Sequence, residues 1–180
     1  NTYFLMRHGE SEAQLLWVTD DDKKTYHLTD RGKKQVLTTA KKLQKAKIDL
    51  IIYSDVLRTR ETAEIMAEAI NLPKENIVLD ERLVEYDFGT KEDISVDDWH
   101  TEHPAGAERF SHGPKGGEND SRVRERMMQA ILEIEEKYQG KTILIISHGT
   151  PLWLLRGAVR GASKDEIVAT YDRNYPKNAI

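Results

Sequence analysis

Four short stretches of this chain end a β-rich or apolar run and then place a cation, an imidazole or a carboxylate. Arg7-His8-Gly9 follows Thr2–Met6, and Ser54-Asp55 with Arg58 follows Ile48–Tyr53. Arg82 and Glu85 come after Asn76–Leu79, and Ser147-His148-Gly149 after Thr142–Ile146. Histidine and glutamate serve in nucleophilic and acid–base catalysis and also bind metals, while guanidinium groups fix anions. Taken singly, each residue has an ordinary explanation. Arg7 is a surface cation, His8 or His148 a hydrogen-bonded structural histidine, and Glu85 a solvated carboxylate in a chain that is 32% charged. Arg58 then pairs with Glu61, one helical turn on. The strand–His–Gly pattern occurs twice, at His8 and at His148, and that repetition favours one shared site.

A shared site requires the strand ends to lie side by side. The four runs read as buried strands, and helices are predicted between them. One starts at Thr29 or Asp30, with Val36, Ala40 and Leu43 at helical spacing. Others span Leu57–Ile70, Ser121–Tyr138 (closed by Gly140) and Pro151–Val159. Alternating strands and helices, with near-continuous apolar strands, imply an α/β three-layer sandwich: a mostly parallel central sheet with helices on both faces. Ligands bind such sheets beyond the carboxyl ends of the strands, where all of these residues fall. Residues 86–120 show little periodicity and read as an irregular insertion, with a short helix near Val96–His100. Its histidines, His100, His103 and His112, are expected to be loop or specificity residues.

The composition narrows the function classes. A chain of 180 residues is the size of one domain, and no linker or repeat divides it. With 27 basic and 31 acidic side chains, the net charge of -4 argues against nucleic-acid binding. The absence of cysteine excludes disulfides and thiolate metal sites. No apolar stretch approaches the ~20 residues that span a membrane, and no signal peptide is visible. A cytoplasmic domain with neither nucleic-acid nor membrane partners is expected.

The R-H-G-E-S of Arg7–Ser11, the S-D-x-L-R-T-x-x-T-A of Ser54–Ala63, the L-x-E-x-x-F-G of Leu83–Gly89 and the S-H-G of Ser147–Gly149 together resemble the histidine phosphatase superfamily. That group includes the cofactor-dependent phosphoglycerate mutases and the fructose-2,6-bisphosphatases. The resemblance covers nearly the whole chain and implies a phosphohistidine mechanism. His8 would attack phosphorus, Arg7 and Arg58 would grip the phosphoryl oxygens, and His148 would donate a hydrogen bond from the opposite side. Glu85 would protonate the leaving alkoxide and then deprotonate water. Gln14 stands where many relatives carry an asparagine, and Thr150 is a further phosphate-binding candidate. Gly9 and Gly149 would let the backbone approach the anion. No metal and no cofactor is implied, and the partner is a small phosphomonoester. Gly116-Gly117-Glu118-Asn119 replaces a frequent G-G-E-S, and Leu16–His27 lacks a Gly-Arg element. Both departures lie in substrate-facing regions.

Hydrolysis is expected over mutase activity, because known mutases carry a longer insertion and a C-terminal tail. A metallohydrolase using His8 and His148 is disfavoured by two arginines that would repel a cation. A non-catalytic phosphoester-binding module is disfavoured by the full catalytic set. Asn1 in place of an initiator Met, and a tail (YDRNYPKNAI, Tyr171–Ile180) that stops where a late strand of the family begins, lead to the expectation of a domain excised from a longer chain, with possible covalent fusion to further domains. If the chain instead ends naturally, Ile167–Tyr171 is the expected last strand.

Overall fold

The predicted runs pair into one four-stranded sheet, built from β1 (Thr2–Arg7), β2 (Leu50–Tyr53), β3 (Ile77–Leu79) and β4 (Thr142–Ser147). All pairings are parallel, in the order β1-β4-β2-β3. This computed structural model describes residues 1–18, 24–89, 95, 97–98 and 105–170. Among them the helices are α1 (Glu12–Leu16), α2 (Asp30–Leu43), α3 (Leu57–Ala69), α4 (Asp120–Lys137), α5 (Gly149–Ala158) and α6 (Lys164–Ala169).

Side chains alternate across the sheet and divide the core in two. Leu50, Ile52, Ile143 and Ile145 pack with Val123, Met127, Ala130 and Ile134 of α4 and with Leu152–Leu155 of α5. On the other face Met6, Ile51, Leu144 and Ile146 pack with Val36, Ala40 and Leu43 of α2 and with Ala63, Met66 and Ala67 of α3. The three-layer arrangement follows, with β4 buried on both faces, which explains its unbroken apolar sequence. No helix among the described residues is long and apolar enough to cross a membrane.

Most element boundaries agree with the sequence within one or two residues, and the exceptions have local causes. Thr29 caps α2 by accepting the Gly32 N–H at 3.0 Å. β2 starts at Leu50 rather than Ile48, because Lys47 adopts a left-handed φ of 50° and turns the chain. α5 starts at Gly149, two residues before Pro151, because extended His148 serves as its N-cap. Pro151 then lies in the first turn, where a missing N–H costs no intrahelical bond.

The alternative last strand, Ile167–Tyr171, is corrected: Ile167–Ala169 belong to α6. There a capping box joins Ser163 and Glu166, and Ile167 packs against Gly157 of α5, outweighing the β-propensity of the Ile-Val pair. Within the irregular stretch, Gly106–Phe110 forms a 3-10 turn that seats Phe110 in the core. Its lone aromatic carries no periodic signal. Of the short helix expected near Val96–His100, Val96, Trp99 and His100 lie outside the described residues, as do His103 and the tail Tyr171–Ile180.

Candidate active site

The register of β1 on β4 sets the centre of the site. Arg7 lies opposite Ser147, so the next residues, His8 and His148, leave the sheet side by side. Their ring centroids are 5.2 Å apart and their planes cross at 60°. The ladder continues for one more bond, His8 N–H to Ser147 O at 3.1 Å, which fixes the backbone under the first imidazole. Ser54 joins the same level through its N–H to Ile146 O at 3.2 Å.

Partners determine the tautomers of both histidines. His8 Nδ1 lies 2.6 Å from the carbonyl of Gly9, which can only accept, so Nδ1 carries the proton and Nε2 a lone pair. Arg58 Nε–H points at that lone pair from 3.3 Å. The same guanidinium donates from Nη2 to His148 Nδ1 at 3.3 Å. His148 must then donate its Nε2–H to Ser54 Oγ, at 2.7 Å. Ser54 passes the direction on to Thr59 Oγ1 at 2.9 Å, and Thr59 donates to backbone carbonyls of Ser54 and Val56. A one-way chain of donors thus holds His148 in a single orientation.

The electrostatics follow from burial among cations. Burial, then the charges of Arg58 and Arg7, hold the His8 imidazole well below the ordinary histidine range. Burial, Arg58, His8 and Arg7 do the same for His148. Glu85 moves the other way. Burial raises its carboxyl above the usual range, although the Tyr86 N–H and the charges of Arg7, Arg58 and Arg126 oppose that shift. Two imidazoles held low and a carboxyl held high thus lie among guanidinium groups.

The remaining candidates fall into place unevenly. Arg7 lies beside the backbone of Gly149: a Cβ there would sit 3.7 Å from the guanidinium carbon. Arg58 is only 5% exposed and turns into the site rather than along its helix. Glu61, its expected partner, instead takes His27 Nδ1 and the Leu28 N–H, each at 2.7 Å. Gln14 turns its Oε1 back to accept the Ser11 N–H at 3.1 Å, so its carbonyl caps α1 and only its amide end faces elsewhere. Thr150 occupies the first turn of α5, where N–H groups lack helical acceptors and favour anions.

Arg82, which also follows β3, pairs with Asp80 and Glu133. Gly9 packs closely against α2: a Cβ on it would lie 2.6 Å from the carbonyl oxygen of Gly32.

Sequence reasoning missed the hydroxyls that hold the site. Ser54, Thr59 and Thr62 are fully buried. Thr62 accepts the Gly9 N–H at 3.2 Å and donates to Arg58 O at 2.7 Å, linking the loop of His8 to the helix of Arg58. The available signal was three hydroxyl residues around Arg58: Ser54 just after β2, and Thr59 and Thr62 on the buried face of α3.

A family profile described as "Histidine phosphatase superfamily (branch 1)" matches residues 3–171. "Phosphoserine phosphatase 1" of Hydrogenobacter thermophilus is 29% identical over 166 residues, covering 87% of this chain and 75% of that protein. "Probable phosphoglycerate mutase GpmB" of Escherichia fergusonii is 32% identical over 167 residues, covering 88% and 74% respectively. The solved structure titled "Bacillus stearothermophilus YhfR" superposes with a TM-score of 0.82 at 26% identity, covering 98% of this chain and 88% of that one. The family and these relatives indicate phosphatase or mutase activity, and the chain belongs to the histidine phosphatase superfamily.

Proposed function

We propose that this protein hydrolyses phosphomonoesters through a phosphohistidine on His8. The observation that carries the reading is the tautomer of His8: Nδ1–H held by the Gly9 carbonyl, with the Nε2 lone pair turned toward a guanidinium that can receive a phosphoryl group. An imidazole held neutral by burial and nearby cations is a competent nucleophile at and below neutral pH.

In the first step His8 Nε2 forms a bond to phosphorus as the ester P–O bond breaks, and Glu85 gives its proton to the departing oxygen. Arg7 and Arg58 hold the equatorial oxygens, the Arg58 Nε–H moving from Nε2 to phosphate. The arriving dianion raises the proton affinity of His148, so Nδ1 gains a proton and donates to the phosphoryl group while Nε2–H stays on Ser54. Gln14 and Thr150 complete the phosphate contacts. In the second step ionised Glu85 takes a proton from water, the oxygen attacks phosphorus, and the P–N bond breaks. Orthophosphate leaves and Glu85 is protonated again, so no metal or cofactor is consumed.

A mutase is the second reading, supported by the E. fergusonii relative's name. A screen of phosphomonoesters, with 3-phosphoglycerate assayed with and without its bisphosphate primer, separates the two. Phosphate release is expected throughout; isomerisation outpacing release would overturn the hydrolase assignment.

Glu85→Gln tests the acid. The ratio kcat/KM, which reports events through leaving-group departure, should fall about 100-fold or more for an alkyl phosphate. It should fall far less for p-nitrophenyl phosphate, whose leaving group needs no proton. The pH dependence has a definite sign. Because the Glu85 carboxyl is raised, the protonated acid is present below its shifted value and is lost as pH rises through it. The wild-type-to-variant ratio on one alkyl phosphate cancels the ionisation of the substrate and should therefore decline as pH increases. Equal losses on both substrates would move the acid role to another carboxylate.

A further inference from the structure

Arg126 of α4 commits all five of its N–H donors, three to carbonyls in the strip of residues 82–85 and two to Glu118. Nη1 donates to the carbonyls of Arg82 at 2.6 Å and Val84 at 2.8 Å, and Nη2 to the carbonyl of Glu85 at 2.9 Å. Nε and the second Nη2 proton form a fork on Glu118, at 2.8 and 2.9 Å. A guanidinium has no further donors to give. Glu118 closes the arrangement: its Oε2 accepts the Asp87 N–H at 3.1 Å, and its own N–H donates to Asp87 O at 3.0 Å. Gly117 permits this docking, since a Cβ there would collide with the Asp87 carbonyl. On the other side, Ser147 Oγ donates to Leu83 O at 2.6 Å and ties the strip to the end of β4, beside His148. Carbonyls at Val84 and Glu85 are thus fixed, and the Tyr86 N–H holds Glu85 Oε1 at 3.0 Å.

We propose that Arg126, backed by Glu118, is the positioning residue of the general acid, setting where the Glu85 carboxyl meets the leaving oxygen. This rests on the reading of Glu85 as that acid. A staple serving the fold alone would need no particular address. Here three of the five bonds go to backbone carbonyls of Glu85 or residues within three of it, and the remaining two go to the carboxylate that holds Asp87. The cation also adds to the charges acting on Glu85 and His148, which places it within electrostatic reach of the reacting groups.

The test measures kcat/KM for an alkyl phosphate and for p-nitrophenyl phosphate, with thermal melting alongside. Arg126→Lys keeps the charge but cannot form the fork or reach three carbonyls together. Its alkyl phosphate rate should drop about 10- to 100-fold, as misplacement of a catalytic group by about 1 Å does, while the aryl rate stays within about threefold. Arg126→Met should show the same selectivity. It should also move the basic limb of the alkyl profile to higher pH, because a cation that lowers the Glu85 carboxyl is gone; Lys should leave that limb in place. Equal losses on both substrates would overturn the proposal. If neither Arg126 variant folds, Glu118→Gln carries the test. It weakens the fork but leaves the carbonyl bonds, and it should show a several-fold loss confined to alkyl phosphates. An unselective loss there overturns the proposal equally. An unselective Glu85→Gln variant instead overturns the acid assignment beneath it.

Discussion

His8→Ala protein should form no phosphoenzyme and should lose turnover by about 10⁴-fold or more, the scale on which loss of a covalent nucleophile is felt. Among the described residues no neighbouring imidazole is free to take over. The other imidazole, His148, is 5.2 Å away ring to ring, its Nε2–H committed to Ser54 and its Nδ1 to Arg58. The measurement is labelling from a phosphorus-labelled ester, quenched in alkali because phosphohistidine is lost in acid. Labelled wild type beside unlabelled variant is the expected result. Label retained on the variant, or turnover within tenfold of wild type, would remove His8 from the nucleophile's role. Folding must be checked separately. His8 is buried, and its removal leaves the Gly9 carbonyl without the Nδ1–H, at a cost of about 1–3 kcal/mol. That shifts the melting temperature without erasing the fold, so a folded, inert variant is the outcome to expect.

The sheet was legible because its strands are short apolar runs that end abruptly in polar residues. The same feature exposed the site: parallel strands deliver whatever follows them to one edge. The pairing of His8 with His148 then needs only the register of β1 on β4, which their matching strand–His–Gly sequences imply. What stayed hidden depends on contacts between segments distant in sequence. Nothing local distinguishes Arg126, in a charged amphipathic helix, from Arg122 or Arg124; only the arrival of residues 82–87 beneath it does so. The close packing of Gly9 on Gly32, across more than twenty residues, likewise has no signature in the sequence. Ile167 and Val168 read as strand because a capping box at Ser163 is a weaker pattern than a β-branched pair.

Arg58→Ala should reduce kcat/KM by about 30- to 1000-fold, the 2–4 kcal/mol expected when one charge-assisted donor to a transition-state anion is removed. The variant should also reveal a second function of the residue through its pH dependence. After burial, the Arg58 charge is the largest influence holding both His8 and His148 low. Removing it lets both imidazoles rise toward the ordinary histidine range, near 6.5. Below its shifted value His8 is protonated at Nε2 and cannot attack. The deficit of the variant relative to wild type, on the same substrate, should therefore widen as pH falls below neutrality. Arg58→Lys separates the two effects. An ammonium restores charge without the planar fork, so the acid limb should return toward wild type while the rate at the optimum stays depressed. A deficit that is flat in pH would confine Arg58 to phosphate binding. A loss under threefold at every pH would show that its contacts with the two histidines do not carry over to the reacting complex.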